Sequence, residues 1–207
     1  MIRGPLVPHI AAMDPSVKQA LARWPDVPAV YGWLSLDERA RWRLHPQGDA
    51  AAGGPGESIG NAQIQDFIGR NYEGDAQGRW YFQNGPQRVY VRLDAAPYLL
   101  RLADDGASLV THTGLPLRAV AGWWLDDTGR LYAQAEPGPA MVEGRDLPAL
   151  LEQLRSADGR PLADALETAT GELLVTHPSL AAAAPLHTDV ARADIPALLG
   201  FVAMPQP

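Results

Sequence analysis

Residues 78–91 read GRWYFQNGPQRVYV, and this stretch predicts a tight β-hairpin. Asn84-Gly85 favours a two-residue type I′ turn, because the twist of that turn matches the twist of paired strands. Side chains alternate between the two faces of a strand, so the turn also fixes which residues share a face. The residues that it places opposite one another are Gln83 and Pro86, Tyr81 and Arg88, and Arg79 and Tyr90.

One face of this hairpin is apolar and would face the core, with Trp80, Phe82, Val89 and Val91. The other face carries aromatic rings for stacking and guanidinium groups that suit phosphate or carboxylate. The candidate ligand-binding residues on it are Arg79, Tyr81, Gln83, Arg88, Tyr90 and Arg92. The alternative is an ordinary exposed sheet face, whose cross-strand Arg–Tyr pairs each contribute about 0.2–1 kcal/mol.

Working outward from the hairpin, the second half of the chain repeats the order of features in the first half. The matches are Leu36-Asp37 and Arg41 with Leu125-Asp126 and Arg130; Ile64, Phe67 and Ile68 with Leu147, Leu150 and Leu151; Gly78 and residues 80–82 with Gly171 and residues 173–175; and Pro86 and residues 96–100 with Pro185 and residues 195–199. Chance would not preserve this order, so the pattern indicates an internal duplication. Two unrelated β-rich halves with similar turns are the alternative.

The sequence therefore predicts an α+β fold that is a tandem duplication of a small β-β-α-β-β-β(-β) unit with mainly antiparallel sheets. A short N-terminal helix would begin at Asp14-Pro15, since proline suits the first helical position. The predicted organisation is a disordered extension at residues 1–12, the N-terminal helix at 13–28, a first repeat at 29–115 and a second repeat at 120–207.

The hairpin segment, with the flanking WPDVPAVYGWLSLD at 24–37 and DAAPYLLRL at 94–102, resembles an uncharacterised proteobacterial family that is described only as a domain of unknown function. This resemblance covers nearly the whole chain and names no activity. The order of helix, D-x-x-G-x-W-Y, hairpin and acidic-A-P is also similar to a second bacterial family of unknown function. For that second family, domain duplication, a pleckstrin-homology-like C-terminal half and a nucleotide-type ligand site at the domain interface have been suggested.

The second resemblance implies a ligand-sensing or signalling role for this chain. The chain departs from that family at its first hairpin, where it lacks the family's His-Glu-Gly-x-Pro-Ile motif.

Composition and charge exclude several classes of protein. The formal net charge of −7 argues against sequence-independent binding to nucleic acid or to anionic membranes, because such binding depends on clustered Lys and Arg. The chain has no cysteine, which excludes disulfides, thiolate metal sites and cysteine nucleophiles. No stretch approaches the roughly 20 apolar residues that span a bilayer. We therefore expect a cytoplasmic protein with no membrane and no nucleic-acid partner.

Catalytic and metal motifs are not recognisable in the sequence. His112 and His177 both precede turn residues at predicted strand ends and have no Asp or Glu at ligand spacing, so we expect solvated side chains rather than metal ligands. The G-x-S-x-G, H-E-x-x-H and G-x-x-x-x-G-K-[ST] patterns are absent. We therefore expect no catalytic residue, no metal and no cofactor.

The sequence as a whole predicts a non-enzymatic ligand-binding or regulatory protein. Its ligand would be small and anionic or nucleotide-like, held at the first repeat or in the groove between the repeats. We include His112 among the candidate ligand-binding residues of that groove. Two alternatives stay open: an enzyme of unrecognised type that uses His112, and a scaffold for protein–protein interaction that forms a homodimer.

Overall fold

The structure is a computed structural model that describes residues 13–168 and 171–207. The predicted disordered extension at residues 1–12 lies outside the described residues. The chain forms two compact units, here named the N-terminal unit, with described residues 13–97 and 200–207, and the C-terminal unit, with residues 98–199. The chain passes from one unit to the other near Pro97. The predicted boundaries at residues 115 and 120 describe the two sequence repeats rather than these units, and they stay a prediction.

The N-terminal unit combines two helices with one six-stranded sheet. Its helices are α1 (Pro15–Arg23) and α2 (Ala62–Arg70). Its strands are β1 (Val30–Leu36), β2 (Trp42–Leu44), β3 (Glu57–Ser58), β4 (Tyr72–Gly74), β5 (Trp80–Asn84) and β6 (Gln87–Leu93). The strand order is β3-β2-β1-β6-β5-β4, in which β1 and β6 are parallel and the other pairs are antiparallel.

The C-terminal unit combines three helices with one eight-stranded sheet. Its strands are β7 (Tyr98–Leu102), β8 (Leu109–Thr111), β9 (Val120–Asp126), β10 (Leu131–Ala135), β11 (Gly138–Val142), β12 (Arg155–Ser156), β13 (Leu173–Thr176) and β14 (Ala184–Val190). Its helices are α3 (Leu147–Gln153), α4 (Leu162–Thr168) and α5 (Ile195–Leu199). The strand order is β12-β13-β14-β9-β10-β11-β7-β8.

The predicted α+β class, the N-terminal helix and the mainly antiparallel sheets are confirmed. Six strands of the C-terminal sheet, β11-β10-β9-β14-β13-β12, follow the same order as the N-terminal sheet, and each set has its parallel pair at the centre. Local signals explain several elements. Pro15 begins α1, and the side chain of Asn61 accepts hydrogen bonds from the amides of Gln63 and Ile64 at the start of α2.

The content of each repeat differs from the predicted unit. A third short strand, β3 or β11, precedes the helix, and another, β4 or β12, directly follows it. The predicted equivalence of residues 96–100 and 195–199 is wrong, because the first range leads into strand β7 whereas the second is helix α5. Proline in the first turn is compatible with a helix, as at Pro196, but Pro97 stands at the matching place before β7, so the proline does not decide between the two structures. Pro185 is also not equivalent to Pro86, because it pairs with Leu174 inside the sheet.

The predicted hairpin forms, but its register is two residues away from the expected one. Tyr81 lies opposite Tyr90, and the two loop residues are Gly85 and Pro86 rather than Asn84 and Gly85. Gly85 has φ 59°, and a type II′ turn requires such a glycine at its first central position. This loop also keeps Pro86, which has no amide hydrogen, out of the strand ladder. A shift of two residues preserves which side chains share a face.

Each unit has its own buried core. Fully buried side chains include Leu36 and Val91 in the N-terminal unit and Trp123, Leu131 and Leu150 in the C-terminal unit. None of the described helices is long and apolar enough to cross a membrane.

The end of the chain belongs to the N-terminal unit. The amide of Val202 donates to the carbonyl of Gly78, and the amide of Leu93 donates to the carbonyl of Ala203, both at 2.8 Å. Phe201 is only 4% exposed. The final residues therefore complete this unit, although 102 residues of the C-terminal unit separate them in sequence from Pro97.

Candidate functional site

The six predicted hairpin residues come together in the N-terminal unit, but most of them are buried. Tyr81 and Tyr90 lie opposite each other with ring centroids 5.6 Å apart. Both tyrosines are 3% exposed, Gln83 is fully buried and Arg92 is 8% exposed. Arg79 is half-buried, and Arg88 is exposed. The expected exposed sheet face is therefore a covered aromatic cluster with one guanidinium, that of Arg88, in solvent.

Two residues that were not expected here, Tyr31 and Asp75, explain the burial. Tyr31 lies on the neighbouring strand β1 and stacks on Tyr90, with centroids 4.6 Å apart and planes 5° apart. The guanidinium of Arg79 also lies over the Tyr90 ring, with Cζ 4.8 Å from the centroid.

Asp75 fixes this cluster through hydrogen bonds from both backbone and side chains. Its carboxylate accepts the hydroxyl of Tyr90 at 2.9 Å, Nε of Arg79 at 2.8 Å and the Arg79 amide at 2.9 Å. Burial acts to raise the pKa of Asp75, but these hydrogen bonds outweigh it, and the pKa lies below its usual value. Asp75 is therefore a carboxylate that already neutralises Arg79.

The sequence carries a local signal for Asp75. In Asp37–Arg41, Asp75–Arg79 and Asp126–Arg130, the aspartate amide donates to the arginine carbonyl, and the aspartate side chain accepts the arginine amide. An aspartate four residues before an arginine is thus a recurring turn of this fold. A search of the sequence for an aspartate four residues before an arginine would therefore have identified Asp75.

Tyr81 and Arg88 form a second part of the cluster. The hydroxyl of Tyr81 donates to the carboxylate of Glu73, and the guanidinium of Arg88 lies over the Tyr81 ring, 4.7 Å from its centroid. Burial raises the pKa of Tyr81, and the hydrogen bond to Glu73 adds to that rise. Tyr81 is therefore a neutral donor at physiological pH rather than a general base.

Arg92 serves as a structural clamp. Its Nη1 donates to the carbonyls of Ala50 at 2.6 Å and Gly54 at 3.0 Å, and its Nε donates to Asp94 at 2.9 Å. These bonds fasten residues 50–54 to strand β6. The positive charge of Arg92 is already compensated by Asp94.

A cavity of about 250 Å³ lies beside this cluster within the N-terminal unit. Its walls combine ring, backbone and guanidinium surfaces. The lining residues include Tyr31, Gly32, Gly48, Tyr90, Arg92 and residues 204–207. Tyr90 and Arg92 of the predicted site thus border a concave space, whereas Arg88 lies on the open surface.

A polar group that the sequence analysis missed lies next to Arg92. Nε2 of His45 is 2.9 Å from the hydroxyl of Ser35, and its Nδ1 is 3.6 Å from the carboxylate of Asp49. The order serine, histidine, aspartate is that of a nucleophile with its base and orienting acid. Ser35, however, has no exposed surface, and the His45–Asp49 distance exceeds that of a hydrogen bond. The geometry fits a structural polar network.

The two histidines that the sequence singled out are not solvated side chains. His177 is 1% exposed, with the Ser179 hydroxyl and the Gln153 amide oxygen each 2.9 Å from a ring nitrogen. His112 is half-buried, and its Nδ1 accepts the amide of Leu99 at 3.3 Å. Burial lowers the pKa of His112 to about 3, with a further contribution from Arg101. Both histidines hold their strand ends in place.

His112 belongs to the C-terminal unit, whereas the other six predicted residues belong to the N-terminal unit. Within the described residues, no three Asp, Glu, His or Cys side chains come together as metal ligands would.

Comparisons with other proteins address the fold and the family. A DUF1285 family protein from Silicibacter pomeroyi DSS-3 has a crystal structure similar to this chain, with 16% sequence identity and a TM-score of 0.52. The alignment covers 85% of this chain and 88% of that chain, so the likeness concerns the whole fold. No curated protein matches the sequence. The family model DUF2944, described as "Protein of unknown function (DUF2946)", matches residues 13–206, and the chain belongs to this family.

Proposed function

We propose that the chain is a cytoplasmic, non-enzymatic ligand-binding protein with a regulatory or signalling role. Its N-terminal unit would hold a small anionic ligand in the cavity beside Tyr31, Tyr90 and Arg92. The observation that carries this proposal is the meeting of a stacked tyrosine pair and a guanidinium at one concave space. Rings supply stacking surface, and guanidinium groups bind phosphate and carboxylate.

The dimensions of the cavity restrict the ligand. Drug-sized ligands occupy pockets of about 300–1,000 Å³, and this space is about 250 Å³. It suits a single ring or a single anionic group better than an entire nucleotide. One face of Tyr90 is covered by Tyr31 and the other by Arg79, so the free stacking surface is that of Tyr31.

The charges indicate which arginine would attract the ligand. Arg79 is neutralised by Asp75, and Arg92 is neutralised by Asp94. Arg88 is exposed, with its guanidinium over the Tyr81 ring. We expect Arg88 to draw an anion to this side of the unit and the rings to hold it.

A thermal-shift screen tests the proposal. The full chain is heated with phosphate, short carboxylates, pyrophosphate and nucleoside monophosphates, and a ligand that binds the native state raises the melting temperature in a concentration-dependent way. Tyr31→Ala should abolish that rise, and Arg88→Ala should reduce it. Arg39→Ala, which removes an exposed arginine from the turn after β1, is the matched control and should leave it unchanged. The proposal is wrong if no anion shifts the melting temperature, or if Arg88→Ala leaves the shift intact.

A further inference from the structure

The opposite face of the same sheet borders a larger cavity of about 440 Å³. Leu34, Phe82 and Val89 line it from the strands, and Ile64 and Ile68 line it from helix α2. Because side chains alternate along β5, Phe82 points away from the face that carries Tyr81. This cavity is therefore separate from the anion site proposed above.

The lining of this cavity is almost entirely apolar. Among the described residues that line it there is no Asp, Glu, Lys, Arg or His, and apart from the Trp33 indole its polar side chains are the carboxamides of Asn84 and Gln87. The amide group of Gln87 also donates to the carbonyl of Pro28 at 3.2 Å, which holds this carboxamide in place. These two residues pair with each other at the end of the hairpin, so the polar groups lie together at one end. An apolar space with a few convergent polar groups is typical of small-molecule sites, and its volume falls in their usual range of about 300–1,000 Å³.

Large apolar side chains at the rim are left in solvent. Trp33 is 43% exposed, Leu44 is 41% exposed and Ile64 is 48% exposed. Removing such apolar surface from water is favourable. An apolar ligand would therefore gain affinity both from the cavity and from its rim.

The C-terminal unit carries a larger side chain at the place that Leu34 occupies in the N-terminal unit. Leu34 pairs with Leu44 and Val91, and at the equivalent place Trp123 pairs with Ala133 and Leu186. Trp123 is fully buried. The N-terminal unit thus has a smaller side chain, lining the cavity, where the C-terminal unit has a buried indole.

We infer that this cavity binds the alkyl portion of a small neutral amphiphile, such as a fatty alcohol or an acyl ester. The alkyl chain lies between α2 and the sheet, and the hydroxyl or ester group reaches the carboxamides of Asn84 and Gln87. The described lining residues carry no ionisable side chain, which disfavours a buried charged group, because an unpaired charge in an apolar site is costly.

The test uses the full chain and the neutral fluorescent probe N-phenyl-1-naphthylamine. We expect saturable binding with one probe molecule per chain, and displacement of the probe by 1-decanol. A probe that binds without saturation, or with several molecules per chain, overturns the inference because it reports general adhesion to apolar surface.

Two variants test whether the probe binds in this cavity. Leu34→Trp introduces the residue of the C-terminal unit and should fill the cavity, and Ile64→Glu places a carboxylate at its exposed rim. Each should weaken probe binding at least tenfold while circular dichroism stays unchanged. Because Ile64 is largely exposed, Ile64→Glu gives a folded protein even if Leu34→Trp does not. Unchanged binding in Ile64→Glu overturns the inference.

Three control variants distinguish binding in this cavity from binding elsewhere on the protein. Leu198→Glu changes a leucine of α5 that is 53% exposed, and it should have no effect. Leu166→Glu changes the lining of a cavity of about 380 Å³ between α3 and α4, and loss of binding there would mean that the wrong cavity was chosen. Arg88→Ala should leave probe binding intact, which distinguishes this site from the anion site.

Sedimentation of the same samples excludes a second copy as the occupant. If the protein is a dimer that Ile64→Glu dissociates, and the wild-type dimer binds no probe, the cavity is a dimer contact and the inference fails.

Discussion

Tyr31 lies flat against Tyr90, on the neighbouring parallel strand, with ring centroids 4.6 Å apart. This contact joins two segments that are nearly 60 residues apart in sequence. It covers the hairpin face that alternation alone predicts to be exposed, and Asp75 completes the cover by accepting the hydroxyl of Tyr90. Because the cluster depends on one buried carboxylate, that carboxylate should be important for stability.

Asp75→Asn should lower the free energy of unfolding by about 1.5–3 kcal/mol, the contribution of a hydrogen bond to a charged group. The amide keeps the shape of the carboxylate but removes the charge that Arg79 and the Tyr90 hydroxyl contact. Urea denaturation measures the change. Asp66→Asn, at an exposed position of α2, is the matched control and should cost less than about 1 kcal/mol. If the two variants lose the same free energy of unfolding, Asp75 does not stabilise the cluster through its charge.

Gly78→Ala should be much more destabilising than Gly129→Ala, although the two glycines have nearly the same φ, 76° and 79°. An alanine in this left-handed region costs about 1 kcal/mol at either position. A Cβ at position 78 would also lie 2.4 Å from the carbonyl oxygen of Gly200, whereas one at position 129 would have no atom within 4 Å. Urea midpoints of the two variants measure the difference, and similar midpoints would mean that residues 200–207 do not pack against Gly78.

Local signals in the sequence were sufficient for many elements but not for their assembly. Helix α2 follows from the stripe that contains Ile64 and Ile68, and the β1–β2 hairpin follows from the turn at Asp37. The turn at Gly85-Pro86 could not be distinguished from one at Asn84-Gly85, because both dipeptides suit two-residue loops. The burial of Tyr81 and Tyr90 depends on Tyr31 and on Asp75, which approach through pairing between distant segments.

Strand β7 shows the same limit. Its apolar pattern correctly indicates a strand, but β7 pairs with β11 of the C-terminal unit rather than with the preceding hairpin. The periodicity of a sequence predicts that a segment forms a strand, but it does not predict which strand that segment pairs with. The sequence also did not predict the cavity beside α2. The volume of that cavity depends on how much of the space between α2 and the sheet the Leu34 side chain fills.

Acidification should destabilise the protein well before its carboxylates become protonated. Burial lowers the pKa of His45 and His177, and it lowers that of His112 to about 3. The unfolded chain, with histidine pKa values near ~6.5, binds more protons below that pH, so stability is complete above it and falls as the pH falls. Each histidine contributes a slope of up to about 1.4 kcal/mol per pH unit.

Urea midpoints between about pH 7.5 and 4.5 measure this slope. The aspartates with lowered pKa values, such as Asp75, affect stability only below their unfolded value of about 3.9. His112→Gln should flatten the dependence, whereas His187→Gln, at an exposed position, should leave it unchanged. A stability that is constant from pH 7 to 5 would mean that the pKa values of the three histidines are not lowered in the native state.

Removal of residues 201–207 should destabilise the N-terminal unit, although these residues follow the C-terminal unit in sequence. The deletion eliminates the backbone hydrogen bonds of Val202 and Ala203 and exposes the cleft that Phe201 fills. Truncation of a buried phenylalanine alone costs about 3–5 kcal/mol, so the loss should be at least that large. Removal of the exposed residues Gln206 and Pro207 is the matched control and should cost less than about 1 kcal/mol. Fluorescence-monitored urea unfolding measures both losses. If the longer deletion is as stable as the full chain, the N-terminal unit folds without its last segment, and the pairing of Val202 with Gly78 is incidental to the fold.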